Sequence, residues 1–124
     1  MKILVVDDDT IVLYSCKRVL ESEGFEVYSV PSAKKAIERL SADNFSVLLI
    51  DVKMPEHDGM WLIEAVRNKG VEIPILVMSG YSTPETIENV TNLGAINFIP
   101  KPFTPDELLK TVQEILLQKG VCQL

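Results

Sequence analysis

Short apolar runs alternate with stretches of helical period along the whole chain. Ile3-Leu4-Val5-Val6 is continuous and β-branched, the pattern of a strand covered on both faces. From Thr10 the period changes. Val12, Cys16, Val19 and Leu20 recur on one face of a helix, and Gly24 stops it. Glu26-Val27-Tyr28-Ser29-Val30 alternates like an outer strand. Ser32 can cap a second helix marked by Ala33, Ala36, Ile37 and Leu40. Val47-Leu48-Leu49-Ile50 is a third buried run, ending at Asp51. A loop with Pro55 and Gly59 leads to a third helix marked by Trp61, Leu62, Ala65 and Val66, with Gly70 after it.

Ile73-Pro74-Ile75-Leu76-Val77-Met78 reads as the fourth strand, its proline near the start, where a missing donor is tolerated. Pro84 opens a fourth helix of weak propensity, rich in Thr86, Asn89, Val90, Thr91 and Asn92. Asn97-Phe98-Ile99 is a short last strand. Thr104, Pro105 and Glu107 form a capping box before a fifth helix with an inner face of Leu108, Val112, Ile115 and Leu116. Strand and helix thus alternate five times, which predicts an α/β fold: one doubly wound, parallel sheet of five strands with helices on both faces. No repeat, linker or low-complexity segment divides the chain, so residues 1–124 read as one domain with its core over about 2–119.

Composition narrows the class. The chain has 124 residues, 47 % hydrophobic and 24 % charged, as in an ordinary globular protein. A net charge of −6 disfavours direct contact with nucleic acid. Cys16 and Cys122 have no metal-like spacing and suggest no disulfide framework, and no apolar segment is long enough for a membrane span. These features point to a cytoplasmic protein.

Chemistry gathers where strands end. In an open α/β sheet, ligands bind beyond the carboxyl ends of the strands. The first strand ends in Asp7, Asp8 and Asp9, the third in Asp51, the fourth in Ser79, and Lys101 follows the fifth. Carboxylates crowded on a rim repel one another and favour a cation, and an all-oxygen set suits Mg²⁺. Asp9 by itself reads better as a cap of the first helix. His57 reads as an exposed loop residue. Trp61 is expected to pack under the third helix, Met54 and Met78 to fill the core, and Gly80 to admit close backbone approach.

At this point the sequence resembles the receiver domain of response regulators, the CheY-like family of two-component signalling. The resemblance rests on Val5-Val6-Asp7-Asp8-Asp9, on Leu49 to Pro55 with Asp58-Gly59, on Met78-Ser79-Gly80, on Gly94-Ala95, and on Phe98-Ile99-Pro100-Lys101-Pro102-Phe103. It implies a flavodoxin-like (βα)5 fold with strand order 2-1-3-4-5. It implies that Asp51 accepts a phosphoryl group from the phosphohistidine of a sensor histidine kinase or phosphotransfer protein. Mg²⁺ would be held by Asp7, Asp8, Asp51 and the backbone carbonyl of Lys53. Ser79 and Lys101 would contact the phosphoryl group, and Phe98 would be the switch aromatic. The Lys101-Pro102 bond would be cis. Lys53 and Tyr81 stand where the family varies, and are expected to modulate the site. The signal would pass to a downstream protein or a missing output domain, with homodimerisation through the fourth helix, fifth strand and fifth helix left open. Such a domain is not an enzyme beyond assisting its own phosphorylation and dephosphorylation.

Three alternatives are weighed. A degenerate receiver, binding without phosphate, is disfavoured by the intact Asp7, Asp8, Asp51, Ser79 and Lys101. A haloacid-dehalogenase-like phosphatase would use Asp7 and Asp9, two residues apart, but the chain has no room for a cap domain. A dinucleotide oxidoreductase would need a glycine-rich turn where the three aspartates stand.

Overall fold

The computed structural model describes residues 1–80 and 83–118; Tyr81 and Cys122, both noted in the sequence, lie outside the described residues. The elements alternate as β1 (Lys2–Val6), α1 (Thr10–Glu21), β2 (Glu26–Val30), α2 (Ala33–Ala42), β3 (Val47–Asp51), α3 (Gly59–Asn68), β4 (Ile75–Ser79), α4 (Pro84–Asn92), β5 (Asn97–Pro100) and α5 (Pro105–Gln118). The strands form one parallel sheet in the order β2-β1-β3-β4-β5. The chain therefore runs outward from β1 to β2, then reverses to β3 and continues in the other direction. The reversal puts a crevice at the carboxyl ends of β1 and β3.

Alternation along the strands sorts the core into two layers. Leu4, Leu48, Ile50, Ile75 and Val77 face one way and meet Ala36, Leu62, Ile63, Val66 and Val90 from α2, α3 and α4. Ile3, Val5, Leu49, Leu76 and Met78 face the other way, against Leu13, Cys16 and Leu20 of α1 and Leu108, Val112, Ile115 and Leu116 of α5. Every residue of β3 and β4 is buried, which is why those runs are apolar up to their last residues, Asp51 and Ser79. Full burial of each such aliphatic side chain contributes about 1.5–3 kcal/mol.

The helix starts are fixed by the expected side chains. Asp9 accepts from the Ile11 N–H at 2.9 Å and Ser32 from the Lys35 N–H at 3.3 Å. Thr104 and Glu107 complete their capping box, with 2.9 Å from the Thr104 N–H to Glu107 Oε1 and 3.1 Å from the Glu107 N–H to Thr104 Oγ1. One boundary differs from expectation. β4 begins at Ile75, and Pro74 precedes it, its carbonyl accepting from the Leu48 N–H at 3.0 Å. The proline lends an acceptor to the β3–β4 ladder without leaving a gap among its donors.

Candidate functional site

Strand register brings the predicted residues to one rim. Asp7 stands one residue past β1, Asp51 ends β3, Ser79 ends β4 and Lys101 follows β5. Because β3 lies between β1 and β4, with Asp51 level with Met78, Asp51 is central. Asp7 and Ser79 are each 1 % exposed and Asp51 6 %, whereas Asp8 is exposed. One carboxylate oxygen from each of Asp7, Asp8 and Asp51 lies within 4.8 Å of the others.

Lys101 crosses the rim to reach two of these acids. Its Nζ lies 2.7 Å from Asp7 Oδ2 and 3.2 Å from Asp51 Oδ1. The Lys101 N–H also donates to the Ser79 carbonyl at 2.8 Å, which ties its backbone to the end of β4. The Lys101–Pro102 peptide is cis, as the resemblance implied. Asp7 Oδ1 takes the Asp9 N–H at 2.9 Å, so the turn after β1 is wrapped around the Asp7 carboxylate. Asp9 itself caps α1 through the Ile11 N–H.

Electrostatics follow from this crowding. Burial, and then the neighbouring charge of Asp7, push the Asp51 carboxyl above its ordinary pKa, against the pull of Lys101. Burial works against the Lys101 ammonium, yet its hydrogen bond to Asp7 and the charges of Asp7 and Asp51 outweigh that cost and hold its pKa above the lysine value. Three carboxylates face one ammonium, and every donor is oxygen, so the set fits a hard divalent cation such as Mg²⁺.

The response regulator receiver domain family matches residues 3–113. This chain belongs to that family. It is 36 % identical over 108 residues to the transcriptional regulatory protein CrdR of Helicobacter pylori, covering 86 % of this chain and 51 % of that protein. It is 30 % identical over 116 residues to BasR of Escherichia coli, with 94 % and 52 % covered. The chain thus spans about half the length of the curated relatives it matches. Among solved structures, a CheY-like receiver domain protein of Methanospirillum hungatei superposes with a TM-score of 0.91 at 33 % identity, covering 96 % of this chain and 95 % of that one. The chemotaxis protein CheY4 of Vibrio cholerae gives 0.90 at 32 %, with 93 % and 98 % covered.

In this receiver the loop after β3 is held by a device that the sequence did not announce. A Cβ at Gly59 would stand 2.5 Å from the Asp51 carbonyl oxygen and 2.9 Å from the Val52 Cα. Only glycine lets α3 start so close to β3, and the Gly59 N–H donates to the Val52 carbonyl at 2.8 Å. Asp58 caps α3 through the Trp61 N–H at 2.9 Å. The loop carries Lys53, which is exposed and lines a cleft of about 540 Å³ with Asp8, Met54, Pro55, Asp58, Met60 and Thr86.

Other positions turn out as follows. Phe98 is half-buried on β5 and packs on the layer formed with α2, α3 and α4. Met54 and Met78 are core residues, as expected. Trp61 is not packed under α3. It is 39 % exposed and stacks on His57, with ring centroids 4.0 Å apart and planes at 14°. His57 is correspondingly half-buried, not a free loop residue, because the indole covers one face of its ring. A Cβ built at Gly80 would meet none of the chain's own described atoms within 4 Å. Among the described residues, no helix is long and apolar enough to cross a membrane.

Proposed function

We propose that this chain acts as one receiver unit that takes a phosphoryl group onto Asp51 from the phosphohistidine of a sensor histidine kinase or phosphotransfer protein. The observation that carries the reading is the Lys101 bridge between the buried carboxylates Asp7 and Asp51, beside the exposed Asp8. An oxygen of Asp51 attacks phosphorus, the new O–P bond forms, and the N–P bond breaks with the electron pair going to the departing imidazole, which leaves protonated. Lys101, already paired with Asp51, lies where it can balance charge on the transferred oxygens. The buried Ser79, at the end of the next strand, supplies a hydroxyl to the same group. Asp7, Asp8, Asp51 and the backbone carbonyl of Lys53 would hold Mg²⁺, which supplies positive charge to the phosphoryl oxygens when bound. The Lys53 side chain reaches toward the phosphoryl oxygens, and Tyr81 shields the group from water.

The donor needs a surface beside the site. An apolar groove of about 440 Å³, lined by Ile11, Val12, Ser15, Cys16, Pro102 and Phe103, runs up to Lys101, and Ile11 is 74 % exposed at its edge. It fits a protein donor better than nucleic acid, which the net charge of −6 repels. Phosphorylation adds charge that draws Ser79 inward and lets Phe98 turn, changing the face of α4, β5 and α5. That face acts on a downstream protein, a second copy, or an output domain, as the half-length match to regulators named as transcriptional suggests. Cytoplasmic location follows from that role.

The test is intact-mass analysis after incubation with acetyl phosphate and Mg²⁺. An added phosphoryl mass that requires Mg²⁺ and vanishes in Asp51→Ala supports the reading. No added mass, together with failure to bind beryllofluoride, would sink it in favour of a phosphate-independent binding module.

A further inference from the structure

Arg67 joins two helix ends. It stands in the last turn of α3, and its Nη1 donates to the Val71 carbonyl at 2.8 Å. Its Nη2 donates to the Gly94 carbonyl, also at 2.8 Å, 27 residues away and just past α4. Both helices close in the same way. After α3, the Gly70 N–H reaches the Arg67 carbonyl at 3.0 Å and the Val71 N–H reaches Val66 at 3.3 Å. After α4, the Gly94 N–H reaches Thr91 at 3.0 Å and the Ala95 N–H reaches Val90 at 2.9 Å. These are paired Schellman closures, each leaving carbonyls at the negative end of a helix dipole.

The guanidinium is half-buried between those two ends and gives both bonds to backbone carbonyls. Desolvation is its cost, and it lowers the Arg67 pKa from the arginine value. Gly94, at φ 115°, leaves the space that Arg67 fills, since a Cβ there would stand 2.7 Å from Arg67 Nε. The opposite end of α4 is held differently. Thr83, Pro84 and Glu85 are exposed, Thr83 supplies a 3.2 Å cap to the Thr86 N–H, and Val90 in the last turn is the helix's buried side chain.

We infer that Arg67 is a positioning residue that pins the C-terminal end of α4 to α3, making it the fixed pivot about which the N-terminal end of α4 responds to the site. The fork matters: a guanidinium can reach two carbonyls at once, and an ammonium on a single stem cannot reproduce that geometry. The response to phosphorylation rests on the function proposed above. The pin itself does not.

Peptide-resolved hydrogen–deuterium exchange on the full chain tests both parts, with and without beryllofluoride and Mg²⁺, for wild type, Arg67→Met and Arg67→Lys. In wild type, beryllofluoride should alter exchange over residues 84–89 and leave 90–96 unchanged. In Arg67→Met, residues 90–96 should exchange about tenfold faster even without beryllofluoride, and should join the response when it is added. Arg67→Lys should fall between, and it serves if Arg67→Met does not fold. Without beryllofluoride, the substitutions should leave exchange in β1 and α5 unaltered, which separates a local pin from general loss of stability. Wild-type protection of 90–96 in the variants, or a uniform response along α4 in wild type, would overturn the inference. A wild type indifferent to beryllofluoride defeats the phosphoryl reading, and the comparison without it then decides the pin by itself.

Discussion

The helices α4 and α5 flank the same strand, β5, and are built to opposite specifications. α5 has 14 residues, a reciprocal capping box, and four side chains at 1 % exposure or less, namely Leu108, Val112, Ile115 and Leu116. α4 has 9 residues, many β-branched or Asn, and buries Val90. Its Ile87 is 36 % exposed. One flank of β5 is therefore anchored by apolar burial, and the other by a few polar contacts at its ends. Segments with few buried apolar contacts open at low free energy, and that end of the stability range is where moving parts are found. The asymmetry places the soft flank next to Ser79, where the proposed signal starts.

The largest expected effect lies on the firm flank. Leu116→Ala should cost about 3 kcal/mol, read as a lower denaturation midpoint with the transition still cooperative. A cost below about 1 kcal/mol would mean that α5 is not the anchor. An opposite sign is expected at the rim. The Asp51 carboxyl is raised by burial and by Asp7, so the folded chain holds that proton more tightly than the unfolded chain does. Stability should fall as pH rises from the unfolded carboxylate value of about 4 through the folded value, and stay reduced at neutral pH. In chelator, Asp51→Asn should remove that decline and gain about 1 kcal/mol at pH 7; a less stable variant would refute the strained-rim account. At alkaline pH the raised Lys101 pKa works the other way, its contribution being complete below the ordinary lysine value and lost as pH rises through the folded one. The smallest effect belongs to the soft flank. Thr83→Ala removes the α4 cap and should cost no more than about 1 kcal/mol, seen chiefly as faster amide exchange in the first turn of α4.

Legibility followed periodicity and composition. The two-sided burial of β3 and β4 was readable because each run is apolar until its last residue, and the capping box before α5 because its residues lie three apart in sequence. The site's members were readable for a related reason: acids that end buried runs have few places to go. What the sequence hid depends on distance across the fold. Gly59 looks like any turn glycine until α3 is seen pressed on Asp51. Arg67 carries no signal in the sequence, because its second partner lies 27 positions away. Trp61 was misplaced because aromatic bulk suggests burial, whereas here a single imidazole offers enough cover to hold it at the surface.

The stacked pair of His57 and Trp61 has an optical consequence. The chain has one tryptophan and one histidine, and they touch each other on the segment that also bears Lys53. Indole emission is sensitive to an adjacent imidazole, which quenches more strongly once protonated. Light from Trp61 therefore reports on the contact between α3 and the β3–α3 loop. The protein carries a built-in fluorophore against the loop that leaves Asp51, and changes in that loop can be followed in real time without attaching a label.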